Sequence, residues 1–255
     1  MLQNNAWRLI GAPLAAMIAW GAMPAHANVT LGGTRVILAE RDREASIPVK
    51  NNGLASYVIQ AWMDAGEGQN KTPFTVTPPL SRLDPGKENI LRILRVSAEL
   101  PGDRESVFWL NVKEIPEKSN QENVLQIAIR TRIKLFYRPS ALPGSPAESR
   151  TRLRWAVIDN PHGPGAALKI VNPTPYHVTF TALSINRGQQ EINADMAPPL
   201  GESIYPLSTI ATPQDIDVSF TTINDYGGET PEEMLRVPAS TEPVAVTPQS
   251  VAVPR

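Results

Sequence analysis

Between Asn123 and Pro139 the chain alternates apolar and polar residues, with no glycine or proline inside the run. Leu125, Ile127, Ile129, Thr131, Ile133, Leu135 and Tyr137 hold the odd positions, and Gln126, Arg130, Arg132, Lys134 and Arg138 hold even ones. A period of two marks a β-strand with one apolar and one basic face. About fourteen residues at roughly 3.3 Å each reach about 46 Å, whereas an ordinary strand covers roughly 17–20 Å. A single sandwich is too short to cover such a ribbon, so part of the apolar row is expected to have no partner within the chain. Two readings follow. The strand bends and serves two sheets of one core, or its edge pairs with a strand or groove of another protein. Proteins ordinarily remove uncovered apolar edges; here the alternating basic residues would keep one soluble.

The flanking sequence is strand-like throughout. Ahead of the ribbon, strands are expected at Thr34 to Ala39, Ala45 to Lys50, Tyr57 to Asp64, Phe74 to Thr77, Glu88 to Val96 and Glu105 to Ile115. Asn51-Asn52-Gly53 and Pro78-Pro79 mark turns between them. Residues 139–152 have linker composition, rich in proline, small residues and charges. A second set follows at Leu153 to Ile158, Ala167 to Val171, His177 to Ile185, Gln189 to Ile192, Ser203 to Leu207, Asp215 to Thr222 and Met234 to Val237. Short strands, turn signals and no sustained helical period predict an all-β protein of two sandwiches, residues 28–138 and 153–237. From Pro238 the chain loses alternation and reads as a disordered tail, residues 238–255.

The first 27 residues read as a cleavable signal peptide: Arg8, an uncharged stretch from Leu9 to Met23, then Ala25-His26-Ala27. Without Arg8 the remaining chain carries 23 basic and 25 acidic residues, a balance that gives no reason to expect nucleic-acid binding. It has no cysteine, so export comes without disulfides and each domain must be held by its own core. No enzyme is expected. His162 lies in a turn and His177 starts a strand, and neither has a triad pattern around it. Asp215 and Asp217 read as solvated strand charges, and no metal or cofactor is expected.

Several short motifs resemble, in order, the periplasmic pilus-assembly chaperones of the chaperone–usher pathway, the PapD-like family. They are Thr34-Arg35-Val36-Ile37, Thr77-Pro78-Pro79 with Arg82-Leu83-Asp84-Pro85-Gly86, and Asp103-Arg104-Glu105-Ser106. Phe108-Trp109-Leu110-Asn111, Glu114-Ile115-Pro116, the Asn123–Pro139 ribbon, Asn172-Pro173-Thr174-Pro175-Tyr176 and Asn224-Asp225-Tyr226-Gly227 complete the set.

The resemblance implies two immunoglobulin-like sandwiches set as an L or boomerang with a cleft between them. It implies a periplasmic chaperone that binds, folds and caps fimbrial subunits by donating a strand, and delivers them to an outer-membrane usher without ATP. Leu125, Ile127 and Ile129 would fill the groove of a subunit that lacks its last strand. The subunit's terminal carboxylate would be gripped by Arg35 and Lys134, which fixes a register the apolar row alone would leave free to slip. Glu105, Arg138 and Asp225 match a charged bridge between the domains, expected to orient them more than to stabilise them. The short loop Pro116–Glu122 resembles the branch that builds rod-like pili. A free molecule could cover its strand by self-dimerising; the competing structural class is a fimbrial subunit or adhesin.

Overall fold

The computed structural model describes residues 28–66, 68, 69, 71–96, 100–118 and 125–250. The expected signal peptide lies outside the described residues, as does residues 119–124, on which the expectation of a short loop depends.

In the first domain the strands are β1 (Val29–Leu31), β2 (Arg35–Ala39), β3 (Glu44–Asn51), β4 (Tyr57–Asp64), β5 (Phe74–Thr77), β6 (Leu80–Leu83), β7 (Glu88–Arg95), β8 (Ser106–Pro116) and β9 (Arg130–Arg138). They form two sheets, β1-β3-β7-β5 and β2-β9-β8-β4-β6, antiparallel except where β2 runs parallel to β9. Every second residue of each central strand points inward, so Val49, Ile59, Leu91, Ile93, Leu110 and Leu135 meet in one core. The peptide bond before Pro78 is cis.

A short connection then carries α1 (Pro146–Ser149) and a 3₁₀ turn (Arg150–Arg152) within the stretch expected to be plain linker. The cause is local: the hydroxyl of Ser145 accepts from the Ala147 N–H at 3.3 Å, and Pro146 sits in the first helical turn. The second domain comprises β10 (Arg154–Asp159), β11 (Ala166–Asn172), β12 (Val178–Ile185), β13 (Gln190–Glu191), β14 (Met196–Ala197), β15 (Gly201–Leu207), β16 (Ile216–Thr222), β17 (Glu233–Val237), β18 (Val244–Ala245) and β19 (Gln249–Ser250). One sheet is β15-β11-β10-β18 and the other β13-β12-β16-β17-β19, with β14 beside β12. Trp155 packs between Phe180 and Phe220 at their centre, with ring centroids 6.3 and 5.3 Å away.

Both sandwiches use a buried asparagine at a strand end to close a turn. Asn51 donates to the carbonyls of Ala55 (2.7 Å) and Leu83 (3.0 Å) while its Oδ1 accepts from Gly53 N–H. Asn172 donates to the carbonyls of Tyr176 (2.7 Å) and Ala197 (3.2 Å), and its Oδ1 accepts from Thr174. Each satisfies backbone carbonyls that burial would otherwise leave without a partner.

Two expectations are corrected. Residues 238–250 do not form a disordered tail. Arg154 and Trp155 of β10 pair with Ala245 and Val244 of β18, while Glu233 and Met234 of β17 pair with Ser250 and Gln249 of β19. Low composition contrast hid these strands, because each is two residues long and is held by a partner's free edge rather than by its own alternation. The strand is also shorter than the alternating ribbon: among the described residues it begins at Arg130, and residues 125–129 carry the pattern without forming a strand.

Candidate functional site

The ladder between β8 and β9 runs from Ser106 opposite Tyr137 to Lys113 opposite Arg130, and one further bond joins the Glu114 N–H to the Ile129 carbonyl at 3.0 Å. On the other side of β9, β2 reaches only from Lys134, opposite Arg35, to Arg138, opposite Ala39. On the N-terminal side of Lys134 that edge of β9 carries no strand among the described residues. The apolar row divides at the same place. Ile133, Leu135 and Tyr137 are buried in the core, whereas Leu125, Ile127 and Ile129 are 84, 66 and 46 % exposed. The sandwich ends, and the ribbon continues past it.

The opposite, basic row is not simply solvated. The Arg130 guanidinium stacks 5.1 Å from the Trp62 ring and its Nε donates to Asn111 Oδ1 at 2.9 Å. Arg132 lies 4.4 Å from the Trp109 ring and its Nη2 donates to Asp64 Oδ1 at 2.6 Å. Strand register brings them together, since Trp62 is opposite Asn111 and Asn111 is opposite Arg132. Burial alone would raise the Asp64 carboxyl, but hydrogen bonds from Arg132, Asn111 and the Gly66 N–H hold it at about 2. Sequence reasoning gave these arginines a solubilising role; the single tryptophans Trp62 in β4 and Trp109 in β8, each flanked by core residues, were the available clue.

Towards its C-terminal end the same row faces the second domain. Lys134 Nζ donates to Asp195, and the Phe136 ring lies 5.4 Å from His177. Arg138 reaches two carboxylates: its Nε donates to Glu105 Oε1 at 2.7 Å, and Nη1 and Nη2 donate to the two oxygens of Asp225 at 2.7 and 3.0 Å. Burial would lower the Arg138 pKa, but the bond to Asp225 and the charge of Glu105 raise it. Glu105 is itself buried, and its second oxygen accepts from the His177 backbone N–H at 2.9 Å. The expected interdomain bridge is therefore assembled, but its premise of an exposed pair is corrected: Glu105 and Arg138 are largely buried, where removing one partner is costly.

The turn that presents Asp225 is fixed by its own sequence. Asn224 Oδ1 accepts from the N–H groups of Tyr226 and Gly228, both at 3.0 Å. Gly227 has φ +82°, and a Cβ there would collide with the Thr34 side chain from the first domain.

Arg35 stands beside Lys134 as its register partner, and both side chains leave the outer face of the sheet. Its Nη1 donates to the Ile223 carbonyl at 3.3 Å and its guanidinium lies 5.3 Å from the Phe136 ring. Burial lowers its pKa against the opposing charges of Asp225 and Glu105. Its Nε is buried and makes no hydrogen bond among the described residues. Two cations thus sit side by side where β2 begins and the open edge of β9 ends, a site able to receive an anionic group at the end of an added strand. Asp195 was not anticipated, since it lies more than 60 residues from Lys134 and carries no motif.

Two family descriptions cover the chain. "Pili and flagellar-assembly chaperone, PapD N-terminal domain" matches residues 28–143, and "Pili assembly chaperone PapD, C-terminal domain" matches residues 148–234. The chain is 41 % identical to chaperone protein FimC of Escherichia coli K12 over 215 residues, covering 82 % of this chain and 84 % of that protein. The crystal structure of the YadV chaperone superposes with a TM-score of 0.71 at 35 % identity, covering 83 % of this chain and all of that one. The SafB chaperone of Salmonella enterica, in complex with the SafA pilin, gives a TM-score of 0.71 at 28 % identity over 85 % of this chain and 99 % of that one. This chain belongs to the PapD family of pilus-assembly chaperones and carries both of the family's domains.

Proposed function

We propose that this chaperone works in the periplasm, capturing fimbrial subunits along the open edge of β9 and passing them to an outer-membrane usher. The observation that carries the reading is the coincidence of an edge without a strand and three exposed apolar side chains, Leu125, Ile127 and Ile129, on the ribbon leading into it. A subunit lacking one strand offers the complementary defect. Three such side chains, each worth about 1.5–3 kcal/mol on full burial, would drive the pairing before ordering costs are set against them.

Arg35 and Lys134 give the added strand an end point. A guest strand ending there with its carboxylate runs parallel to β9, in line with β2, because β2 begins at Arg35 and already runs parallel to β9. Charge-assisted bonds of roughly 1.5–3 kcal/mol each would fix the register that alternation leaves open. The similarity to SafB, solved with its pilin, supports this partner class. Binding energy and positioning suffice, so neither ATP nor a cofactor is invoked. In a free molecule the same exposed row can pair with a second copy.

Co-purification with the cognate subunit tests the reading. Arg35→Ala and Lys134→Ala are expected to deplete the complex. Ile127→Asp should block capture and leave the chaperone folded. Undiminished complex in the first two variants refutes the anchor; an unfolded Ile127→Asp protein places that residue in the chaperone's own core.

A further inference from the structure

Lys134 is already occupied by a carboxylate of its own chain. Its ammonium donates to Asp195, and the two side chains differ sharply in exposure: Lys134 is 17 % accessible and Asp195 71 %. The cation is recessed, and the carboxylate reaches it from the solvent side, as an incoming anion would. The backbone at Asp195 and just after it is fixed. Its carbonyl accepts from the Phe180 N–H at 3.0 Å, and Met196 and Ala197 pair with Thr179 and Val178. The side chain is therefore the part free to swing away.

Arg35 differs from its neighbour. It makes no ion pair among the described residues, and the two acidic groups whose charges act on it, Asp225 and Glu105, are both bonded to Arg138. Of two adjacent cations, one holds a carboxylate and the other does not.

We propose that Asp195 is a built-in stand-in for the guest's terminal carboxylate, a residue that sets how tightly the guest is held. This rests on the reading of Arg35 and Lys134 as the carboxylate anchor. An arriving carboxylate meets Arg35 directly but gains Lys134 only by displacing Asp195. The competition lowers the affinity of the anchored state, and the returning side chain neutralises Lys134 when the guest leaves. Asp195 also spans the two domains, so displacing it removes one contact between them while the Arg138 bridge stays in place.

The test uses the full mature chain and two synthetic peptides of identical alternating apolar sequence, one ending in a free carboxylate and the other amidated. Fluorescence anisotropy gives the Kd of each. Wild type is expected to prefer the acid. Asp195→Asn, which keeps the side chain's shape and removes its charge, should tighten acid binding by about two- to fivefold, the range of a solvent-exposed ion pair, and leave the amide unchanged. In a Lys134→Ala background the same substitution should have no effect on the acid peptide.

If Lys134→Ala lowers the acid-over-amide preference but Asp195→Asn leaves acid binding unchanged or weaker, the stand-in is refuted and the anchor survives. If Lys134→Ala does not alter the preference, the anchor itself is wrong and the stand-in falls with it. Equal tightening of both peptides by Asp195→Asn also overturns the inference, because it locates the effect away from the terminal charge.

Discussion

The two sandwiches treat their edges in opposite ways. In the second, the tail of residues 238–250 crosses from one sheet to the other, laying β18 along β10 and β19 along β17. The tail extends past the family's matched C-terminal domain, which ends at residue 234. In the first, β2 begins only at Arg35, and the apolar residues Leu125, Ile127 and Ile129 remain in solvent. Covering an edge thus takes only a few paired residues, and among the described residues the chain does so in the second domain but not along β9 before Lys134. Exposure at 125–129 is consequently a property of that site, not a general weakness of a cysteine-free fold. The covered edges show what the uncovered one omits.

The contrast is sharpest within β9 itself. Leu135 is fully buried and continues the row that holds Ile127 at 66 % exposure. Leu135→Ala should destabilise the first domain by about 2–5 kcal/mol, the usual result of opening a cavity in a close-packed core. Urea unfolding followed through the tryptophans measures it. A loss below about 1 kcal/mol would break the division of the ribbon into a rooted half and a free half.

The root should also fail in acid. Asp64 lies at about 2 in the folded protein against an ordinary value of 3.8. Its folded pKa is depressed, so the stability it contributes is complete above about pH 4, and it is lost as pH falls through 2. The shift corresponds to about 2 kcal/mol. Asp64→Asn should therefore be less stable than wild type at pH 6, and the gap should close near pH 2, where other carboxylates titrate alike in both proteins. No gap at pH 6 would show that Arg130 and Arg132 hold β9 through their tryptophans alone, and a gap that stays constant to pH 2 would show that the loss does not come from the Asp64 charge.

Much of this was legible in the sequence where alternation is strong. β3, β4, β7, β8 and the buried part of β9 follow the expected segments to within a residue or two at most ends, because each has an inward row of large aliphatic residues. What alternation cannot report is pairing. The ribbon alternates through Leu125 and Ile127, yet the ladder begins at Arg130, because a strand requires a neighbour as well as a pattern. For the same reason β18 and β19 left no trace, being defined wholly by the edges they meet. Arg35 and Lys134 could be named from motifs, but their adjacency is a register and the Asp195 contact is a matter of tertiary placement.

Removing the tail tests the other side of the comparison. Truncation after Val237 deletes the bond from the Val157 N–H to the Pro238 carbonyl (3.0 Å) and that from the Ser240 N–H to the Val157 carbonyl (3.2 Å). It also deletes the pairing of β18 and β19. With each lost bond worth about 0.5–1.5 kcal/mol net, the two named bonds alone come to about 1–3 kcal/mol, and the second domain should lose at least that much. The bared β10 and β17 should make the shortened protein associate as its concentration rises, which sedimentation velocity detects. A truncated chain as stable and as monomeric as the full one would mean that those edges needed no cover.

The smallest expected effect carries the most information. Replacing Leu125, Ile127 and Ile129 together by serine removes three large apolar side chains from solvent-exposed positions. Substitutions of this kind ordinarily change stability by no more than about 0.5 kcal/mol each, so the thermal midpoint of the triple variant should stay close to that of wild type. Subunit capture should nevertheless disappear, since the serines retain the backbone edge but have little apolar area to bury. Stability and capture are then separated in one protein. Were the midpoint instead to fall as far as in Leu135→Ala, the exposed row would be packing against the chaperone's own sandwich in solution, and the difference between the covered and uncovered edges would vanish.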